Sequence, residues 1–279
     1  MEQPNPIITI DLFPKLDRML IALLQSLSAE DWETPTIAPL WKVKDVASHL
    51  LDGNIRGLSI SRDKYFGEKP PEDTSYQALV DFLNRLNADW VKATKRMSPE
   101  VLINLLETSG KVYYEHLKEL DPFDPSIFPV AWAGEAHSEN WFHIAREYTE
   151  KWHHQQQIRL AAGKTDPLLT KEFYHPFLDI SMRALPYHYR NVEAQQHDVI
   201  RFTVTGDGGG AWHLMYEKTE WVLLSQCTLR PASEVSIDGD IAWRLFTKGI
   251  DREQAAQKCR FSGNQVLGRK ILSMLVVMA

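Results

Sequence analysis

The sequence predicts an α+β protein, an N-terminal up-and-down four-helix bundle followed by a smaller α/β lobe. Two observations carry this. Over the first ~165 residues, apolar side chains recur at three- and four-residue steps, the period of an amphipathic helix. Beyond Gly163 the period shortens towards two and turn residues cluster, as in short strands. Long helices with short connections pack as bundles, so the domains are expected at residues 1–165 and 166–279.

The elements follow in order. Leu12, Leu16, Leu20, Leu23 and Leu27 form one stripe of a first helix that ends near Ser28 and Asp31. Two prolines make residues 33–40 a connection. A second helix runs over residues 43–66, with Val46, His49, Leu50, Gly53 and Gly57 on related faces, and Gly67 with Pro70 and Pro71 stops it. A third covers 76–97. Ser98 and Pro99 cap and start a fourth, to about Leu120. Three prolines make 121–129 a loop, and a long helix follows over 135–162. In the second lobe a helix at 169–185 precedes strands at 199–205, 211–216, 221–224, 234–237 and 258–261. Helices are expected from Asp240 to about Lys248 and over 265–278.

Composition narrows the function. Hydrophobic residues make up 44% and charged residues 24%, which excludes a disordered chain, and 31 Lys+Arg against 37 Asp+Glu give a net charge of −6. That balance does not neutralise phosphates, so no nucleic-acid partner is expected. The longest apolar runs, 19–24 and 274–279, are far short of the ~20 residues of a membrane span. The N-terminus has acids and prolines where a secretory signal carries basic and apolar stretches, so a cytoplasmic protein with no membrane partner is expected. Cys227 and Cys259 form neither a disulfide framework nor a zinc knuckle. Gly208, Gly209 and Gly210 read as a hairpin turn rather than a phosphate loop, and no nucleophile elbow occurs.

The chemistry concentrates near Glu150. On a helix, residues four apart differ by about 40° and 6 Å of rise, so Glu150 and His154 project side by side. A carboxylate and an imidazole there suit zinc or another first-row divalent ion, and they also suit an ordinary surface pair. His49, bordering the inward stripe of the second helix, is the best third ligand; a buried histidine bonded to a carbonyl is the alternative. Gly53 on that face leaves room for an ion or a substrate. His143 and Glu147 continue the stripe but lie too far along the axis to share the ion, and Glu147 reads as a partner of Arg146 or Lys151. His153 points about 100° away from His154 and is a weaker ligand. The other six histidines are expected at helix surfaces or turns, in solvated or hydrogen-bonded roles.

These residues carry a resemblance. Trp-x-Val-x-Asp-Val-x-x-His at 41–49, Glu-x-x-x-His at 150–154, then Gln157-Ile158-Arg159 and Ala162-Gly163, resemble the DinB-like metal-binding bundles. Among these the pattern is most similar to the mycothiol-dependent maleylpyruvate isomerase branch, in which a glutamate replaces one of three histidine ligands. The resemblance implies zinc on His49, Glu150 and His154, with Gln157 holding a ligand in place of that branch's usual aspartate. Residues 208–212, 236–245 and 261–264 resemble the sterol-carrier-like C-terminal domain attached to these isomerases. It also implies a functional arginine in the second lobe. Arg244 is the nearest match, although the register fits only within a residue and a surface helix position would read the same.

The expected function is therefore a zinc-dependent enzyme acting on a small molecule, with a low-molecular-weight thiol as cosubstrate for transfer or isomerisation. Metal-dependent hydrolysis would use the same ligands. A non-catalytic module with a small apolar ligand in the second lobe is the alternative from another class.

Overall fold

The computed structural model describes residues 4–73 and 75–277. Four long helices make the bundle: α1 (Phe13–Gln25), α3 (Val43–Gly57), α5 (Pro99–Glu119) and α6 (Asn140–Ala161). Both α1 and α3 pack against α5 and α6. Between α1 and α3 lies α2 (Ala29–Glu33), five residues capped by Ser28, whose hydroxyl accepts from the Asp31 amide. A fifth long helix, α4 (Tyr76–Thr94), packs on α3. The Ser98 hydroxyl accepts from Val101 to cap α5, with Pro99 at its first position.

Two helices are shorter than their sequence patterns. The stretch expected at 43–66 leaves α-helical geometry at Gly57 and finishes as a π-helical turn, Leu58–Arg62, which Asp63 closes by donating to the Leu58 carbonyl. Lys64 then takes a positive φ of 56°, ending the run. The stretch expected from 135 starts at Asn140. Gly134 has φ 83°, and the Ser138 carbonyl and hydroxyl are taken by the amides of Ser126 and Val130, so these residues form a loop brace.

The second lobe opens with α7 (Tyr174–Met182) and α8 (Leu185–Tyr189). Five strands follow: β1 (Val199–Val204), β2 (Gly210–Glu217), β3 (Glu220–Leu224), β4 (Ser233–Ile237) and β5 (Cys259–Gly263), in sheet order β3-β2-β1-β4-β5. Every pairing is antiparallel except β1 with β4. Alternation holds along β1, where Ile200, Phe202 and Val204 are buried while Arg201 is exposed. Three helices complete the lobe: α9 (Gly239–Phe246), α10 (Arg252–Ala256) and α11 (Gln265–Arg269). The helix expected over 265–278 ends early. A 3₁₀ turn, Lys270–Ser273, follows α11, and the chain then extends so that Met274, Val276 and Val277 enter the core and the Val276 amide donates to Phe246. Residue 278 lies outside the described residues.

The larger core continues from the bundle into the second lobe. Trp152 on α6 stacks on Tyr174 and Phe177 of α7 at 5.0 and 4.3 Å and meets Trp243 of α9 edge-on at 6.0 Å. The Tyr174 hydroxyl donates to the Gly239 carbonyl and accepts from the Trp243 amide. Helix α9 is thereby fixed to the helix that carries Glu150 and His154.

Candidate metal centre

Three elements assemble the site. The loop over residues 34–42 leads into α3, and the motif at 41–49 has a physical reading position by position. Val43 and Val46 are fully buried in the bundle core. The Asp45 carboxylate accepts from the Lys42 amide at 3.2 Å, capping α3. Trp41 lies over His49, with ring centroids 4.8 Å apart. His49 is thus presented from the first turns of a well-anchored helix.

Helix α6 supplies the other two residues. It is buried on almost every side, including Gln155, Gln156, Gln157 and Arg159, whose polar groups bond largely to chain segments around them. Arg159 donates to the Met19 and Lys164 carbonyls, and Gln156 to that of Thr165. A helix wrapped in this way can aim polar side chains inwards, since water does not compete for them.

The ligand-type atoms of His49, Glu150 and His154 all lie within 4.8 Å of one another. The two imidazoles meet edge-on at 4.6 Å, and His154 Nε2 is 3.4 Å from Glu150 Oε2. His154 Nδ1 is 2.9 Å from Gln157 Oε1. An amide oxygen only accepts, so Nδ1 donates this bond and Nε2 is the nitrogen that faces the carboxylate. His49 Nδ1 is buried without a hydrogen-bond partner, the only such histidine nitrogen among the described residues. A buried polar side chain without a hydrogen-bond partner is costly, and a cation held by these three residues would give them one. A donor set of two nitrogens and a carboxylate oxygen suits zinc and its first-row neighbours. The residues fit a divalent metal ion.

Electrostatics gives the protonation states that ligation needs. Burial, reinforced by the charges of His154 and Arg56, holds the His49 imidazole well below its ordinary pKa. Burial alone would push the Glu150 carboxyl up, but His153, His154 and His49 outweigh it and hold it at about 2. Near neutral pH, Glu150 is a carboxylate and His49 a neutral imidazole. Glu150 is the open side of the trio, its side chain 35% exposed. A Cβ built on Gly53 would meet nothing within 4 Å, so the expected space one turn from His49 is present.

The neighbouring residues sort differently. His153 is buried, and its Nδ1 bonds the Thr149 carbonyl at 3.0 Å. Glu147 pairs with Arg146 at 3.1 Å and accepts from Tyr113 at 3.0 Å, while Lys151 goes instead to Asp17 and Asn54 at 2.8 and 2.9 Å. Of the histidines expected at surfaces, His116 is buried and bonds Ser61 at 2.8 Å. Arg244 lies on α9, half-buried, and donates two bonds to Asp240 one turn earlier. Its hydrogen bonds go to Asp240 rather than to the trio, and the Trp152–Trp243 contact joins its helix to α6. Missed by sequence reasoning is a groove of about 340 Å³, whose lining includes Asp52, one turn along α3 from His49, with Arg56 of the same helix and Leu86 and Trp90 of α4. Its residues are spread over two helices and a loop, and no spacing rule joins them.

No curated protein matches the chain. Two solved structures are similar over most of their length. One is a crystal structure of a histidine-to-alanine mutant of the mycothiol-dependent maleylpyruvate isomerase, 10% identical, with 91% of each chain covered and a TM-score of 0.49. The other is a crystal structure of the mycothiol-dependent maleylpyruvate isomerase, 11% identical, covering 85% of this chain and 86% of that one, with a TM-score of 0.46. The family described as the mycothiol maleylpyruvate isomerase N-terminal domain matches residues 13–159, more than half of the sequence and the whole span from α1 to the last turn of α6, and the chain belongs to that family.

Proposed function

We propose that His49, Glu150 and His154 hold a divalent metal ion, zinc in the first place, and that the protein is a thiol-dependent isomerase or transferase of a small molecule. The observation that supports the reading is the convergence of His49, Glu150 and His154, whose ligand-type atoms all lie within 4.8 Å of one another while His49 Nδ1 is buried without a hydrogen-bond partner. A zinc ion lowers the pKa of a bound thiol, so that a thiolate nucleophile is present at neutral pH.

The chain's own residues do the rest. Gln157 holds the His154 tautomer through Nδ1, leaving Nε2 as the donor. Three ligands leave a coordination position open for a cosubstrate, unlike a structural zinc site closed by four. The groove along α3 and α4, which begins at Asp52 one turn along α3 from His49, gives the organic part of a ligand a place. Arg244 serves as the anchor for an anionic substrate, exchanging Asp240 for the substrate carboxylate. Residues 1–165 and 166–279 are the metal-binding and substrate-facing domains in this reading, and a thiol cosubstrate places the protein in the reducing cytoplasm. No helix among the described residues is long and apolar enough to cross a membrane.

Cobalt tests the reading. Co²⁺-substituted protein mixed with small thiols should show a sulfur-to-cobalt charge-transfer band in the near ultraviolet. His49→Ala should abolish it. Arg244→Ala should keep the band and lose thiol-transfer activity. A cobalt spectrum indifferent to thiols of several sizes would remove thiol chemistry and favour metal-dependent hydrolysis.

A further inference from the structure

We infer that Trp41 is a positioning residue for the paired histidines, and that the second lobe sets its place through Ile37 packed against Gly249. The inference rests on the metal reading and asks what fixes the rings. For His154 the answer is polar, the bond from Nδ1 to Gln157. A ligating imidazole ordinarily has such a bond at its other nitrogen, which holds its rotation. His49 Nδ1 has none. Its ring meets aromatic surfaces instead: Trp41 at 4.8 Å and 45°, and His154 at 4.6 Å and 73°. Trp41 also reaches His154, 6.2 Å away at 36°, so one indole touches both rings.

Trp41 is itself held. Its amide donates to the Ala38 carbonyl at 2.9 Å, and its carbonyl accepts from the Thr36 amide and hydroxyl at 3.0 and 2.8 Å. Pro35 and Lys42 form a β-bridge at the neck of this loop, and the Val43 amide donates to Thr34. Residues 35–42 therefore move as one piece. The two ends of that piece belong to different cores: Trp41 packs against the bundle's smaller core, Ile37 against the larger one that extends into the second lobe. Ile37 Cδ1 occupies the space of the missing Gly249 side chain, where a Cβ would come within 2.6 Å of it. Gly249 closes α9 by donating to the Arg244 carbonyl at 2.7 Å. The same loop thus bears on the end of the Arg244 helix and on the His49 ring, and any displacement of α9 is passed to the ligand pair.

The experiment titrates metal-free protein with Co²⁺, following heat and the cobalt d–d spectrum, for wild type, Trp41→Phe, Trp41→Leu and Gly249→Ala. Loss of a partner that orients a ligand costs about 10–100-fold in metal affinity, so Trp41→Leu should bind Co²⁺ at least about tenfold more weakly, with Trp41→Phe recovering most of the loss. Gly249→Ala touches no ligand and needs no unusual φ, yet its methyl must displace Ile37. It should weaken binding about threefold and shift the d–d bands. Thermal melts of the metal-free proteins separate these effects from unfolding. Wild-type affinity in Trp41→Leu overturns the positioning role, and a Gly249→Ala spectrum identical to wild type overturns the link to the second lobe. A wild-type protein that binds no Co²⁺ removes the metal reading and this inference together.

Discussion

Two polar clusters share helix α6, and they are built on opposite terms. In the first, His143, Arg146 and Glu147 of α6 meet Tyr113 of α5. Arg146 donates to His143 Nδ1 at 2.7 Å and to Glu147 Oε1 at 3.1 Å, and Tyr113 donates to Glu147 Oε2 at 3.0 Å. Gly57 makes this approach possible, since a Cβ there would come within 2.6 Å of the Tyr113 ring. These contacts pair donors with acceptors and the Arg146 cation with the Glu147 anion. One turn further along, the second cluster places the Glu150 carboxylate 3.4 Å from His154 Nε2 and leaves His49 Nδ1 bare. The first cluster is complete as protein. In the proposed reading a cation completes the second, so what sets the two clusters apart is the ring nitrogen left unpaired rather than burial or residue type.

The largest expected effect breaks the second cluster. His154→Ala should leave the bundle folded by circular dichroism while metal content, measured on protein purified without an affinity tag, falls far below one per chain. Glu150→Gln should lose less, because an amide oxygen still coordinates. Full occupancy in His154→Ala would mean that the three residues do not form a metal site.

The complementary change breaks the first cluster. Glu147→Ala strands the half-buried Arg146 guanidinium and the buried Tyr113 hydroxyl, and removing one partner of a buried pair costs about 3–5 kcal/mol. With Arg146 still 17% exposed, the lower end applies, about 3 kcal/mol in urea unfolding, with metal content retained. A stable Glu147→Ala protein that has lost its metal would show that the two clusters work as one.

Acid should weaken the first cluster by a calculable amount. Burial, then the Arg146 charge, pushes His143 down to about 4, and its bond from Arg146 requires an unprotonated Nδ1. The unfolded chain takes up this proton near pH 6.5 and the folded chain only near 4, so stability falls as pH drops through that window. For one such group the loss approaches about 3 kcal/mol. His143→Gln should flatten the pH dependence of unfolding between pH 6.5 and 4 by about that amount; an unchanged slope would mean that folding does not lower the pKa of His143.

The two clusters also differed in how far the sequence revealed them. The four-residue spacing of Glu150 and His154, and the position of His49 near the inward stripe of α3, are properties of helical geometry and are visible without a structure. The motif at 41–49 was legible as a resemblance, while the Asp45 cap and the burial of Val43 and Val46 were seen only in the fold. Tyr113 was not. It sits on another helix, and only the closeness of α5 at Gly57 brings it to Glu147. The buried glutamines of α6 were hidden for a related reason: a helix enclosed on all sides has no polar face to oppose an apolar one, so periodicity carries no signal. Short capped helices such as α2 and α10, and the extended 274–277 segment, were lost because five residues or alternating burial leave no helical stripe to read.

The smallest change tests the hinge between the two kinds of cluster, the one hydrogen bond in the second that is complete. Gln157 Oε1 fixes the Nδ1 proton of His154, and its loss frees the ring to rotate and to change tautomer without removing any ligand atom. Gln157→Ala should therefore lower Co²⁺ or Zn²⁺ affinity by about 10–100-fold, equivalent to about 1.4–2.7 kcal/mol, with little change in thermal stability. Gln157→Glu keeps an acceptor and adds charge, which makes the imidazole more basic, and should bind metal at least as tightly as wild type. Competition against a chromogenic chelator would read both. Equal affinity in all three proteins would show that packing under Trp41 alone orients His154, and would transfer to the indole the role that the amide has here.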